Sequence, residues 1–430
     1  MYIHLKTLGC RLNEAELETW AQAFQKVGHQ ITRELKEAHV VIINSCAVTA
    51  DATRKSRQLI RRIHRENPSA KLVISGCYVT LNEDEAAELL GVDLVISNKD
   101  KNQLVEQTLS LLDFDSMPAQ ATEPGETSLF TRGRQRAFIK VQDGCRYRCT
   151  FCIVTVARGE EISRPVQLII DEINSLHQQG INEAILTGVH LGGYGADIES
   201  NLSALIQTIL DQTNIPRLRL GSLEPWELPT GFFKLFKNPR LMPHLHLPLQ
   251  SGADSVLKRM SRRCKTDEFL SLVTQARQQH KNINITTDII VGFPGETEEE
   301  WQQSFDFIKQ VGFGHIHIFT YSRREGTKAA TLPNQLPNEI KKQRSKQLHQ
   351  LAESMKQQFL SENLNQNAAV LWEGHKQILD DNEQLVFGYT PNYLRVACKT
   401  SLTDDIENQI IEGKLQSIAD NYIICDLKTL

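Results

Sequence analysis

Three cysteines, Cys145, Cys149 and Cys152, fall within eight positions of "DGCRYRCTFC", directly after the strand-like run "AFIKVQ". Disulfides between such near neighbours would be strained. One loop can instead wrap its three sulfurs around a compact metal centre. Structural zinc normally closes a fourth ligand nearby, and no His or Cys lies close downstream. A cubane iron–sulfur cluster accepts three thiolates and keeps one iron open for another ligand.

Three further cysteines lie far apart in the chain. Cys10 ends "YIHLKTLGC", Cys46 ends "VVIINSC" and Cys77 ends "KLVISGC", at intervals of 36 and 31 residues, each about one βα unit. In a doubly wound sheet, equivalent strand ends lie side by side on the carboxyl edge, where ligands bind. Neighbouring strands are about 5 Å apart, so three thiols there can converge on one small object. Buried cysteines also serve as small apolar residues. Three of them at strand ends favour a second cluster with three ligands and a free iron. Cys264, Cys398 and Cys425 share no such placement and read as ordinary thiols.

The elements that must hold these groups follow from the pattern. Residues 1–112 alternate strand-like and helical runs, including a helix from about Asn13 to Val27 and another through "ATRKSRQLIRRIHRE". That rhythm predicts an α/β fold with a doubly wound parallel sheet. Residues 113–130 are polar, proline-containing and aperiodic, as in a linker. A second unit, 131–362, holds six candidate strands: "AFIKVQ", "EAILTG", "RLRLGS", "HLHLPL", "ITTDIIVG" and "HIHIFTY". They predict a partial (β/α)6 barrel with its chemistry at the C-terminal strand ends, followed by a long polar helix. Residues 365–430 carry four short strand-like runs, "AAVLWE", "QLVFGYT", "YLRVACK" and "NYIICDL", which suit a small β-barrel. The 430-residue chain has a formal net charge of −4, so nucleic-acid binding must come from local patches. It has no signal-like N-terminus and no 18-residue apolar run. A soluble, cytoplasmic protein without membrane contact is expected, in a compartment that keeps thiols reduced.

CxxxCxxC at a barrel mouth resembles the radical S-adenosylmethionine (SAM) superfamily. With "TLGCRLNEAELE", "INSCAVT" and "SGCY" ahead of it, nearly the whole chain resembles the methylthiotransferase family of radical SAM enzymes: a methylthiotransferase N-terminal domain, the barrel and a C-terminal TRAM domain. The resemblance implies two [4Fe–4S] clusters, one on Cys10, Cys46 and Cys77 and one on Cys145, Cys149 and Cys152. It implies that one SAM methylates sulfur held at the first cluster. A second SAM, cleaved at the barrel cluster, yields the radical that removes a substrate hydrogen, so that C–H becomes C–S–CH₃. It further implies SAM contacts at Gly188, at Gly192 and Gly193 of "GGYG", at Gln250 and Ser251 of "LPLQSG", and at Gly292 of "VGFPGETEEE". Taken alone, each glycine segment reads as a turn. An electron donor such as flavodoxin or ferredoxin and a sulfur donor are implied partners.

Members of that family act on a tRNA adenosine beside the anticodon, carrying an isopentenyl or a threonylcarbamoyl group, or on an aspartate of a ribosomal protein. "TGVHLGGYG" and "GYTPNYLRV" resemble the threonylcarbamoyladenosine branch, which implies methylthiolation at carbon 2 of that nucleoside at position 37 of the anticodon loop. Read from the residues alone, an iron–sulfur electron carrier or an RNA-binding scaffold stays open. A tRNA substrate predicts a basic footprint. Arg54, Lys55, Arg57, Arg61, Arg62 and Arg65 follow Cys46, and further runs lie at Arg132, Arg134, Arg136, Arg146, Arg148, Arg259, Arg262, Arg263 and Lys265. From 365 onward, however, five Lys/Arg stand against ten Asp/Glu, an acidic balance unlike an RNA clamp. Tyr389, Tyr393 and Arg395 offer a stacking face or ordinary packing. His244/His246 and His315/His317 each share a strand face and read as polar packing inside the barrel.

Overall fold

The computed structural model describes residues 1–111, 135–380 and 382–427; the expected linker at 113–130, with Arg132 and Arg134, lies outside them. Five parallel strands form the N-terminal sheet in the order Gln30–Ile31, Tyr2–Thr7, Val40–Ser45, Lys71–Gly76, Leu94–Ile96. Val40–Ser45 is buried along its whole length, which is why it reads as a continuous apolar run. Thr7 pairs with Asn44 and Ser45 with Gly76. Three strands therefore end level, beside the point where the strand order reverses. That is where a doubly wound sheet binds ligands.

Two helices differ from expectation. The first spans Arg11–Lys26 with Cys10 as its N-cap, two residues earlier than predicted. After Lys71–Gly76, where the alternating rhythm calls for one helix, the chain forms two short ones, Cys77–Leu81 and Glu83–Ala87. The break falls at Asn82, whose side chain bonds back to Tyr78 O at 3.0 Å, the local competition typical of Asn.

All six predicted barrel strands are present: Arg136–Lys140, Glu183–Thr187, Arg217–Leu220, His244–His246, Asn284–Val291 and His315–Thr320. They form two three-stranded parallel sheets joined by the bridges Leu218–Leu241 and Ser222–His246. Outer helices bury Ile173, Ile206, Val273 and Ile308 against them. At the open side, helix Arg11–Lys26 lies against Arg136–Lys140, so the N-terminal sheet is docked onto the barrel.

Helix Asn338–Glu362 leads into a closed five-stranded barrel around the fully buried Trp372. Four of its strands correspond to the predicted runs. The fifth, Ile410–Ala419, has no apolar run to announce it, since only Gly413 and Leu415 are buried. Among the described residues no helix is long and apolar enough to cross a membrane.

Candidate active site

Cys10, Cys46 and Cys77 each follow one of the level strand ends. Two glycines permit their approach. Gly9 has φ +110°, and a Cβ there would lie 2.7 Å from Cys46 Sγ; Gly76 has φ +103°, and its Cβ would overlap the Ser45 carbonyl oxygen. Only glycine adopts these backbones without strain. Ser56 anchors Cys46 on both sides: Cys46 N donates to Ser56 Oγ at 3.1 Å, and Ser56 Oγ donates to Cys46 O at 2.8 Å. Burial above all, with the neighbouring Cys77 and Cys10, raises the Cys46 thiol to about 11. Cys46 is thus within electrostatic reach of both Cys10 and Cys77. Cys10 is the exposed member, 3.7 Å from Asn13 Oδ1.

The other three thiols occupy the loop after Arg136–Lys140. A short antiparallel pair, Gln142–Asp143 with Ile162–Ser163, closes the loop's base, and helix Val154–Arg158 forms its far side. Cys145 N donates to Gly159 O at 3.1 Å, Cys152 N to Cys149 O at 3.0 Å, and Val154 N to Cys152 Sγ at 3.4 Å. Arg262 Nη1 lies 3.9 Å from Cys149 Sγ. Burial pushes Cys145 up to about 12 and Cys152 to about 11. Such desolvated thiols stay protonated until a cation displaces the proton.

The two sets meet. Cys152 interacts electrostatically with Cys77. Arg324, just beyond strand His315–Thr320, faces Cys46, Cys77 and Cys152 together; burial lowers its pKa while these sulfurs oppose the fall. Its Nε is buried without a hydrogen-bond partner. Ala329 N, donating to Thr150 O at 2.7 Å, seats this segment on the cysteine loop. Among the described residues, three ligand atoms lie within 4.8 Å of one another at Cys145–Glu161–His190 and at His246–Asp288–His317; neither cysteine triplet closes that far. The first group brings Glu161 and His190 beside Cys145, neighbours that the sequence close downstream did not supply.

A buried charged hub joins the halves. Glu16, on the first helix, accepts from Lys101 Nζ at 2.7 Å, from Lys140 Nζ and Arg158 Nη1 at 3.0 Å each, and from Asn44 Nδ2 at 2.8 Å. Burial alone would raise its pKa, but Lys101, Arg158 and Lys140 outweigh burial and hold it well below the usual carboxylate range. Lys101 itself is pushed down by burial, whereas Lys140 and Arg158 are lifted by Glu16 and Asp143 against their own burial. The latter two are the cations that profit from the hub. Arg158 Nη2 also donates to Asn13 Oδ1 at 2.7 Å, and Asn98 Nδ2 to Ala157 O at 2.6 Å. Both bonds cross from one cysteine set to the other's support. Sequence reasoning missed Glu16, Asn98, Arg158 and Arg324. Asn98 and Arg324 follow strand C-termini, where both folds place their chemistry, and that rule was the available signal.

The glycines expected to touch SAM have packing reasons of their own. Cβ atoms would meet Gln142 Oε1 at 3.0 Å from Gly188, Glu227 Cβ at 2.7 Å from Gly192, His190 Nδ1 at 2.5 Å from Gly193 and Lys341 Cγ at 2.6 Å from Gly292. Gln142 in turn donates to Gly144 O at 2.8 Å and accepts from His190 N at 2.8 Å, so the Gly188 contact steadies the cysteine loop. Gln250, with φ +76°, and Ser251 are buried at the end of the fourth strand. Gly192 and Gly193 line a cleft of about 910 Å³ with Arg146 and Glu227.

Several predicted RNA contacts are engaged within the protein. Arg259 pairs with Glu300, Arg136 with Glu373, Arg57 with Glu85 at 2.7 Å and Arg62 with Glu66 at 2.6 Å. Arg61, Arg65, Arg148, Arg263 and Lys265 are exposed. Tyr389 and Tyr393 do stack, at 4.8 Å and 20°, but on each other, with Arg136 4.6 Å from Tyr389 and Arg219 4.5 Å from Tyr393. They form the joint between the two barrels. Arg395 lies over Phe387 instead. His244 is buried and His246 half-buried, its Nε2 3.2 Å from Asp288, but His315 and His317 are exposed and do not pack as expected. Cys264, Cys398 and Cys425 are buried.

Comparison with known proteins agrees with this geometry. Residues 139–308 match the family described as "Radical SAM superfamily", and residues 2–97 match "Uncharacterized protein family UPF0004". A solved radical S-adenosylmethionine methyltransferase, TsrM from Kitasatospora setae, shares the fold with a TM-score of 0.57 at 17% identity, over 76% of this chain and 77% of that one. The half-barrel with its cysteine loop at the mouth defines a radical SAM enzyme, which uses SAM and a [4Fe–4S] cluster. Among curated relatives, the Threonylcarbamoyladenosine tRNA methylthiotransferase MtaB of Bacillus subtilis is 33% identical over 95% of this chain and 92% of its own length. The protein of the same name from Thermotoga maritima is 37% identical over 77% of each chain. The tRNA-2-methylthio-N(6)-dimethylallyladenosine synthase of Staphylococcus aureus (strain Newman) is 30% identical over 97% and 84%. The chain belongs to the methylthiotransferase family of radical SAM enzymes.

Proposed function

We propose that this enzyme inserts a methylthio group at carbon 2 of N6-threonylcarbamoyladenosine at position 37 of tRNA, using two [4Fe–4S] clusters. Cys10, Cys46 and Cys77 would hold one, and Cys145, Cys149 and Cys152 the other. The observation that supports this reading is Asn98, whose Nδ2 lies 3.8 Å from Cys77 Sγ and donates to Ala157 O at 2.6 Å, so that the helix behind the barrel's cysteine loop sits against the N-terminal set. The substrate rests on the relatives of that name at 33% to 37% identity.

When bound, SAM and the clusters supply one-electron activation of a C–H bond and the sulfur that replaces the hydrogen. The chain's own residues do the rest. The Glu16 hub locks the N-terminal sheet onto the barrel, so that both thiol sets keep one distance. Gln142 and the Gln142–Asp143/Ile162–Ser163 pair hold the barrel loop. Gly188, Gly192, Gly193, Gln250, Ser251 and Gly292 would border the SAM pocket at the strand ends. Arg324 places a cation between two centres whose thiolates carry negative charge. Units at 1–112, 131–362 and 365–430, a cytoplasmic location, an external electron donor and an external sulfur donor complete the reading. The acidic C-terminal barrel, whose Tyr389 and Tyr393 are taken up in the joint with the larger barrel, leaves the exposed Arg61, Arg65, Arg148 and Arg263 as the RNA contacts.

Nucleoside mass spectrometry of tRNA from a deletion strain tests the reaction. Loss of the methylthio nucleoside with accumulation of plain threonylcarbamoyladenosine is expected. An unchanged nucleoside profile, or purified protein that cleaves no SAM under reduction, would return the chain to an electron carrier or scaffold.

A further inference from the structure

Arg11 is the first residue of the helix that fills the open side of the half-barrel, directly after Cys10. Its guanidinium lies 5.5 Å from the Phe138 ring and 5.9 Å from the Tyr393 ring, and its Nη2 donates to Tyr393 Oη at 3.4 Å. Other arginines of the lumen are paired with acids: Arg136 with Glu373, Arg158 with Glu16, Arg219 with Glu183. Arg11 pairs with no carboxylate among the described residues. Asp288 is engaged by His246 at 3.2 Å.

Arg11 is exposed. His315, His317 and Phe319 form the exposed face of the last barrel strand, while Ile316 behind them is buried. His244 and His317 lie within electrostatic reach of Arg11. Burial holds the His244 imidazole well below its ordinary pKa. Arg11 is thus an exposed cation, flanked by aromatic rings, directly after Cys10.

Adenine carries C2 and N6 on one edge, opposite its bond to ribose. A nucleoside entering with C2 toward the thiols therefore brings its N6 substituent deepest into the lumen. A threonylcarbamoyl group ends in a carboxylate and a hydroxyl, whereas an isopentenyl group ends in methyls. Arginine grips carboxylates through two parallel N–H···O bonds, and an aromatic cradle preserves its geometry for doing so. We propose that Arg11, cradled by Phe138 and Tyr393 and left without an acid of its own, binds the carboxylate of the substrate's N6 substituent and so selects threonylcarbamoyladenosine. This rests on the substrate reading above.

The test uses full-length protein with both clusters reconstituted and fluorescence anisotropy of three anticodon stem–loop RNAs. They carry threonylcarbamoyladenosine, its methyl ester or plain adenosine at the target position. Wild type should bind the acid about tenfold or more tightly than the ester, the worth of one charge-assisted contact. Arg11→Gln should erase that difference by weakening the acid alone, and Arg11→Lys should keep part of it. If Arg11→Gln loads less iron, Arg11→Met, which preserves the alkyl stem, gives the same readout. Equal weakening of all three RNAs, or an acid–ester difference that survives in Arg11→Gln and Arg11→Met, overturns the assignment. A wild type that converts isopentenyladenosine RNA and ignores threonylcarbamoyladenosine RNA overturns instead the substrate reading beneath it.

Discussion

The two cysteine triplets present similar groups to one space, yet they are built by opposite means. Cys145, Cys149 and Cys152 come from one eight-residue loop, closed by its own hairpin and helix. Cys10, Cys46 and Cys77 come from three strand ends separated by 36 and 31 residues. They meet only because the register of Thr7 with Asn44 and Ser45 with Gly76 levels those strands. A local site tolerates change elsewhere in its domain. A site inherited from a sheet is as precise as the whole sheet, and as easily lost.

The sharpest test of this contrast removes one sulfur from each set. Cys46→Ala and Cys145→Ala should each lower iron from about eight to about four per chain. Both should cut methylthiolation by about three orders of magnitude, roughly 4 kcal/mol of barrier. Cys46→Ala should still cleave SAM and Cys145→Ala should not; parallel loss of cleavage would break the division of labour.

Next in size is the hub between the two regions. Glu16→Gln leaves Lys101, Lys140 and Arg158 buried without their shared acid, a loss of about 3 kcal/mol in unfolding free energy. Because the Glu16 pKa is depressed in the folded state, its stabilisation is fully present above the unfolded value of about 4.3 and fades as pH falls toward the depressed one. The gap in melting temperature between wild type and variant should narrow only below about pH 4. A gap independent of pH down to 3 would mean that the Glu16 charge is not what holds the halves together.

Two glycines then separate sheet from loop. Gly76→Ala forces a side chain at φ +103° into the Ser45 backbone, costing about 2–3 kcal/mol and emptying the N-terminal cluster first. Gly159→Ala, at φ +75° with nothing within 4 Å, should cost only about 1 kcal/mol and spare both clusters. Melting curves with iron content decide, and equal effects would contradict the dependence on register.

The smallest effect concerns Arg324. Arg324→Gln removes a cation facing both sets and should lower cluster reduction potentials by roughly 50 mV, with Arg324→Lys partly restoring them. Redox titration followed by electron paramagnetic resonance measures this. A shift confined to one cluster would show that Arg324 serves a single set.

Legibility followed the same division. The cysteine loop, the parallel strands and all six barrel strands could be read directly, because periodic burial and close spacing are local properties. Strand Ile410–Ala419 escaped because it lies half in water and has no apolar run. The aromatic pair Tyr389/Tyr393 was visible as a motif, but its use as a joint with Arg136 and Arg219 was not. Glu16 looked like one more polar residue on an amphipathic helix, and only docking gave it three buried cations.

By itself, the order of residues determined which groups could do chemistry here: six cysteines at strand ends or in one tight loop, glycines where the chain must turn closely, and apolar runs of the right period for each element. Those choices are local, set by backbone geometry and the hydrophobic pattern over a few turns or strands. Tertiary structure alone decided which sulfurs share a space, which charges are buried opposite one another and which arginine is left without an acid. Such pairings depend on the docking of a sheet onto a barrel, where interactions act between residues a hundred or more positions apart, as Glu16 and Lys140 do.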